Sequence, residues 1–139
     1  MTPLYAQNFD FSSFNVLAVD DIPLNLLLVQ KMLSKFNFRM RTASGGQQAL
    51  DAVAQEKPDL ILLDLMMPGI DGFEVIRRLR EDPATADLQI VILSALNSNE
   101  DVVKGFNAGA NDFIMKPIIM EKLLSCVVNQ LKIVEAKNK

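Results

Sequence analysis

The chain alternates short apolar runs with longer segments in which apolar residues recur every three or four positions. The runs predict β-strands, and the longer segments predict amphipathic helices. Two runs, "DLILLDL" and "QIVILSA", are almost wholly apolar, which is typical of parallel strands covered on both faces. The run "FRMRTA" alternates apolar with basic or polar residues, as expected of a less covered strand near a sheet edge. The predicted strands comprise residues 15–19, 38–43, 59–65, 89–95 and 111–117.

Five helices are predicted to alternate with these strands. They comprise residues 24–36, the segment after "SGG" at 44–46, the segment that starts near Asp71, and residues 100–108 and 119–134. The apolar positions expected to be buried on the first helix are Leu26, Leu27, Val29, Leu33 and Phe36. Strand–helix alternation predicts an α/β fold, a doubly wound five-stranded parallel sheet with helices on both faces and right-handed crossovers.

Length and composition limit the class of protein. The 139 residues, half of them hydrophobic and 22% charged, fit one globular domain. We expect that domain at residues 14–134, with an N-terminal extension at 1–13 and a polar tail at 135–139. No apolar run has the roughly 20 residues of a membrane span. The net charge of −3 argues against a nucleic-acid surface.

The single cysteine, Cys126, allows no internal disulfide, and the first residues lack the pattern of a signal peptide. A cytoplasmic location is therefore expected. Histidine is absent, which removes the commonest general base and the commonest zinc ligand. Chemistry on this chain must use Asp, Lys, Ser and Thr side chains.

Polar residues stand where the predicted strands end. Asp20 and Asp21 follow the first strand, Asp64 closes the third, Ser94 and Ala95 close the fourth, and Lys116 closes the fifth. The carboxyl ends of parallel strands lie at one edge of a sheet, where ligands bind in such folds. Two adjacent carboxylates repel each other and cost stability unless a cation accompanies them.

Each of these residues has an ordinary structural interpretation when taken alone. Asp20 or Asp21 could cap the first helix, Asp64 could be a turn residue, Lys116 a solvated lysine, and Ser94 a partner of local backbone groups. Their joint position at matching strand ends favours a site. Three carboxylates without histidine suit a hard cation, Mg²⁺ or alternatively Mn²⁺. A cation, a lysine and a hydroxyl around one carboxylate are components of phosphoryl transfer, and a carboxylate can itself be the nucleophile.

The sequence resembles the receiver domain of two-component response regulators from about residue 15 to residue 134. The residues that carry the resemblance are Asp20-Asp21, "LLDLMMPGIDG" around Asp64, "LSA" with Ser94, and "KP" at 116–117. The resemblance implies a flavodoxin-like receiver fold with strand order 2-1-3-4-5. It leaves open whether the receiver acts alone or belongs to a larger protein such as a hybrid histidine kinase.

The resemblance also implies roles. Asp64 would accept a phosphoryl group from a phosphohistidine on a sensor histidine kinase or a histidine phosphotransferase. Asp20, Asp21, Asp64 and the backbone carbonyl of Met66 would bind Mg²⁺. The phosphoryl-binding and switch residues would be Lys116, Ser94, Ala95 and Phe113, although Phe113 could equally be a plain core aromatic. A cis peptide bond often precedes the family's proline, which makes Pro117 the candidate here.

Two apolar residues beside the acceptor, Met66 and Leu96, border the path of the hydrolytic water in this family. They offer no group to orient that water, so we expect slow self-dephosphorylation, although Met66 could equally be only a mobile surface side chain.

The first helix has more apolar positions than one buried face needs, among them Leu24, Leu27 and Leu28. Some of these leucines should therefore be exposed, at the place where a phosphotransfer partner docks. Signalling would use the face of helix 4, strand 5 and helix 5. The downstream protein is open, and a monomer or weak dimer is expected.

Two other classes of protein share features with this sequence. A Mg²⁺-dependent phosphohydrolase of the haloacid-dehalogenase type also uses a strand-end Asp, but it needs a second Asp two residues later, where this chain has Met66. A receiver-like interaction module without phosphorylation would not need the complete set of site residues.

Overall fold

Five strands and five helices alternate along residues 9–138, the part of the chain that the computed structural model describes. The strands are β1 (Asn15–Val19), β2 (Arg39–Ala43), β3 (Leu60–Leu63), β4 (Gln89–Ser94) and β5 (Asp112–Met115). The helices are α1 (Pro23–Leu33), α2 (Gly46–Gln55), α3 (Gly72–Glu81), α4 (Asn99–Ala108) and α5 (Met120–Lys137). All five predicted strands and all five predicted helices are present.

The strands form one parallel sheet in the order β2-β1-β3-β4-β5, as predicted. Val19 at the end of β1 pairs with both Ala43 and Leu63, so three strands end at the same level. The apolar residues of β1, β3 and β4 are buried because helices cover both faces of the sheet. One core lies under α1 and α5, and the other lies under α2, α3 and α4.

Helix α1 differs from its prediction in two respects. It ends at Leu33 rather than at residue 36, because the N–H and hydroxyl of Ser34 both donate to the Lys31 carbonyl and close the last turn. Phe36 is still buried, but in the connection to β2. Leu27, expected in the core, is 52% exposed. The helix has apolar residues on nearly all sides, so its pattern could not identify the buried face.

Aromatic side chains close the end of the sheet opposite the strand carboxyl ends. Phe11, Phe14, Phe36 and Phe38 are all buried, and Phe9 packs on them. The ring centroids of Phe11 and Phe36 are 4.4 Å apart. Phe9 and Phe11 of the expected N-terminal extension therefore contribute to the domain core, whereas residues 1–8 lie outside the described part of the chain.

Helix α5 runs through most of the expected polar tail and ends at Lys137. The Lys137 ammonium donates to Gln89 Oε1 at 2.9 Å, and the Gln89 amide in turn donates to Gln130 of α5. These contacts tie the last turn of the helix to the start of β4. Among the helices of residues 9–138, none combines the length and the apolar character that crossing a membrane requires.

Candidate functional site

Asp20 lies at the centre of the site and is held by three donors. It follows β1, and its carboxylate is almost wholly buried. Oδ1 accepts a hydrogen bond from the Ile22 N–H at 2.9 Å, at the start of α1. Oδ2 accepts from Asn25 Nδ2 and from Lys116 Nζ, each at 3.1 Å. The carboxylate is therefore fixed between the first turn of α1 and the end of β5.

Asp64 lies beside Asp20 because β1 and β3 are paired in register. The Asp64 N–H donates to the Val19 carbonyl at 3.0 Å, and the Asp64 side chain is buried. Its Oδ1 accepts from the Met66 N–H at 3.4 Å, and its Oδ2 lies 4.0 Å from Lys116 Nζ. Burial raises the pKa of Asp64, and the negative charge of Asp20 raises it further, while Lys116 opposes the shift.

The loop after Asp64 depends on glycine at two positions. Gly69 has a φ of 79°, a left-handed conformation that side chains disfavour. At Gly72 a Cβ atom would lie 2.5 Å from the Asp64 carbonyl oxygen, so only glycine lets α3 start against the end of β3. The Asp71 carboxylate caps α3 by accepting from the Glu74 N–H at 2.9 Å. These residues of "MMPGIDG" thus shape the loop beside Asp64.

The carboxylates of Asp20, Asp21 and Asp64 converge. One oxygen from each of the three lies within 4.8 Å of those of the other two. This oxygen-only donor set, with one ammonium beside it, fits a hard divalent cation such as Mg²⁺. The ammonium of Lys116 lies 3.1 Å from Asp20 Oδ2 and 4.0 Å from Asp64 Oδ2, so it offsets part of the negative charge of the three carboxylates. The three acidic residues predicted from strand ends are therefore together in space.

Ser94 and Lys116 are joined through the backbone. The Lys116 N–H donates to the Ser94 carbonyl at 2.7 Å, which extends the pairing of β4 with β5 to the site. Ser94 is fully buried, and its hydroxyl accepts from the Leu96 N–H at 3.1 Å. Ala95, next to it, is exposed. The peptide bond between Lys116 and Pro117 is cis.

The other predicted site residues surround this centre. Met66 is 60% exposed next to Asp64, and Leu96 is half-buried after β4. Phe113 is half-buried among core residues below α4, where its ring approaches Gly105. Phe113 thus lies under α4. The next residue on β5, Ile114, belongs to the core on the other face of the sheet.

The hydrogen bond from Asn25 to Asp20 was not predicted from the sequence. The position of Asn25 five residues after Asp20, in the first turn of the helix that follows, is the signal that could have indicated the contact.

Helix α1 presents an apolar surface next to the carboxylates. The prediction that some of Leu24, Leu27 and Leu28 are exposed is confirmed. All three are about half exposed or more, as is Ile22, and this includes Leu27, which was also predicted to be buried. We call these four residues the α1 patch. A cavity of about 290 Å³ lies between this helix and the loop after β5, and its lining includes Leu28, Lys116 and Ile118.

Comparison with known proteins agrees with this geometry. The family described as "Response regulator receiver domain" matches residues 16–128. The chain is 43% identical over 106 residues to the response regulator PleD of Caulobacter vibrioides, covering 76% of this chain and 23% of PleD. It is 34% identical over 112 residues to protein PilH of Pseudomonas aeruginosa, covering 81% of this chain and 93% of PilH.

A solved structure of the Vibrio cholerae chemotaxis protein CheY4 superposes with a TM-score of 0.78 at 29% identity, covering 84% of this chain and 97% of that one. The chain belongs to the response regulator receiver domain family. It spans about a quarter of the length of PleD, so the activity of a whole protein of that kind is not carried over.

Proposed function

We propose that this receiver domain takes a phosphoryl group onto Asp64 from a phosphohistidine of a partner kinase or phosphotransferase, in a reaction that needs Mg²⁺. The observation that supports the proposal most is the meeting of three carboxylates and one lysine at the carboxyl ends of β1, β3 and β5. The proposal includes a cytoplasmic location, where a kinase partner has access to ATP.

The chemistry assigns a role to each of these residues. An oxygen of Asp64 attacks phosphorus; the new O–P bond forms as the P–N bond to the imidazole breaks, and its electron pair stays on the imidazole nitrogen. When bound, Mg²⁺ would supply positive charge at the phosphoryl oxygens, held by Asp20, Asp21, Asp64 and the Met66 carbonyl. Lys116 neutralises a further oxygen, and the Ser94 hydroxyl donates to another.

The partner would dock on the α1 patch. Three of its exposed apolar side chains lie on α1, which begins beside Asp20, and the fourth, Ile22, directly precedes the helix. A helical partner covering the patch would bring its histidine to the site. Output would use a different face, formed by α4, β5 and α5, where Val103, Phe106 and Met115 are exposed. Movement of Ser94 toward the phosphoryl group would shift Phe113 beneath α4.

Magnesium should stabilise the folded protein. Because the three carboxylates repel one another in the metal-free protein, we expect a rise in melting temperature as Mg²⁺ is added. The expected gain in the free energy of unfolding is about 2.7 kcal/mol at a concentration about 100 times the dissociation constant. Differential scanning fluorimetry in EDTA and in millimolar Mg²⁺, at equal ionic strength, measures it. Equal melting temperatures in both buffers would show that the carboxylates do not bind the ion.

Substitution of Met66 should change the lifetime of the phosphoryl group. Its exposed thioether cannot orient a water molecule, whereas an amide or carboxylate at this position can. We expect Met66→Asn and Met66→Glu to speed dephosphorylation by roughly an order of magnitude. Met120→Asn, which alters a similarly exposed methionine at the start of α5, is the matched control. Decay rates equal to wild type in both Met66 variants would show that residue 66 does not set the lifetime of the phosphoryl group.

The phosphotransfer itself is tested with phosphoramidate, a small donor that carries the same P–N bond as phosphohistidine. Intact-protein mass spectrometry should detect one added phosphoryl group with Mg²⁺ and none in EDTA. Continuous release of phosphate from p-nitrophenyl phosphate would instead identify a phosphohydrolase. No mass gain from phosphoramidate or from a phosphorylated histidine phosphotransferase would favour an interaction module.

A further inference from the structure

Asp20 Oδ2 has two side-chain donors, Lys116 and Asn25, which differ in whether the proposed reaction draws them away from Asp20. Lys116 Nζ lies 3.1 Å from Asp20 Oδ2 but 4.0 Å from Asp64 Oδ2, so in this structure the lysine pairs mainly with Asp20. Under the proposed function it must turn toward the phosphoryl oxygens on Asp64. That change takes away one of the donors that Oδ2 has now.

Losing a donor at this position is costly for a buried carboxylate. The Asp20 side chain is 8% exposed, so water has little access to replace the ammonium. The Asn25 amide, which reaches the same oxygen at 3.1 Å from the first turn of α1, does not depend on the position of β5. Because the amide is neutral, it also has no charge to attract it to the phosphoryl group.

We propose that Asn25 is a positioning residue that holds the Asp20 carboxylate in place while Lys116 changes partner from Asp20 to the phosphoryl group on Asp64. The backbone supports this assignment. The Ile22 N–H fixes Oδ1, and the Ile22 carbonyl accepts from the Asn25 N–H at 3.0 Å. The start of α1 therefore carries both hydrogen bonds to Asp20 that remain when the lysine leaves. The predicted effect of Asn25 on the rate of phosphorylation rests on the proposed function, whereas its predicted effect on the stability of the metal-free protein does not.

The structural consequence is tested by urea unfolding of the metal-free protein. Asn25→Ala and Lys116→Met each leave one side-chain donor on Asp20 Oδ2, whereas the double variant leaves none. The loss of stability in the double variant should therefore exceed the sum of the two single losses. Gln30→Ala, an exposed amide on the same helix, should combine additively with Lys116→Met. Additivity of Asn25→Ala with Lys116→Met would overturn the assignment.

The kinetic consequence is tested with acetyl phosphate at saturating Mg²⁺. Asn25→Ala should slow phosphorylation about 10-fold, the low end of losses for residues that orient metal-binding side chains. Gln30→Ala should match wild type. A wild-type rate in Asn25→Ala would overturn the inference, while the proposed function would stand. Failure of the wild-type protein to be phosphorylated by acetyl phosphate, by phosphoramidate and by a phosphorylated histidine phosphotransferase would refute the proposed function, and the urea experiment would still decide whether Asn25 holds Asp20.

Discussion

Replacing Asp64 by asparagine should abolish phosphoryl uptake from acetyl phosphate and stabilise the metal-free protein. The amide has nearly the shape of the carboxylate but is too weak a nucleophile to attack phosphorus. The same substitution removes one of three carboxylates whose oxygens lie within 4.8 Å, at a position only 5% exposed to solvent. We expect the free energy of unfolding in EDTA to rise by roughly 1–2 kcal/mol.

Asp71→Asn is the matched control for this experiment. Asp71 lies on the same loop, is exposed and caps α3, a role that asparagine fills equally well. The control should keep wild-type phosphorylation and wild-type stability. Intact mass spectrometry and urea unfolding measure the two properties. If Asp64→Asn still gained a phosphoryl group, another residue would be the acceptor; if it lost stability in EDTA, the carboxylates would not repel one another as described.

Phe11→Ala should be strongly destabilising, by about 3–5 kcal/mol. The ring is 6% exposed and contacts Phe9, Phe36 and Phe38, so its removal opens a cavity that rigid neighbours cannot fill. Chemical unfolding in urea measures the loss. Phosphorylation at a temperature where the variant is folded should be unchanged, because Phe11 lies at the end of the sheet opposite Asp64.

Phe106→Ala provides the comparison, since Phe106 on α4 is 44% exposed. Its loss should cost less than about 1 kcal/mol. Similar losses in the two variants would mean that the segment before β1 is not part of the folded core. A large loss only in Phe11→Ala would establish that residues 9–13 belong to the domain rather than to a detachable extension.

The fold was predictable because apolar runs and polar strand ends follow directly from burial on a two-sided parallel sheet. Asp20, Asp64 and Lys116 were predicted to lie together because each ends a strand, and the register of β1 with β3 places the first two side by side. The geometry of a parallel sheet thus allows residues that are far apart in the sequence to be predicted as neighbours in space.

Contacts that depend on packing were not predictable in this way. The buried face of α1 was ambiguous because the helix carries leucines on most of its sides, and Leu27 is exposed. Burial of Phe11 depends on Phe36 and Phe38, which come from a distant connection. The Asn25 contact depends on the exact start of α1 at Pro23. Each of these is set by tertiary structure rather than by a local pattern.

Whether Asp64 is the phosphoryl acceptor is decided by locating the modification on the chain. The protein is incubated with acetyl phosphate and Mg²⁺, and the acyl phosphate is reduced with borohydride, which converts the modified aspartate to homoserine. Peptide mass spectrometry then identifies the position. If Asp64 is the acceptor, homoserine should be found at position 64 alone, and only when Mg²⁺ is present. Homoserine at another aspartate, or equal labelling of position 64 in EDTA, would contradict it.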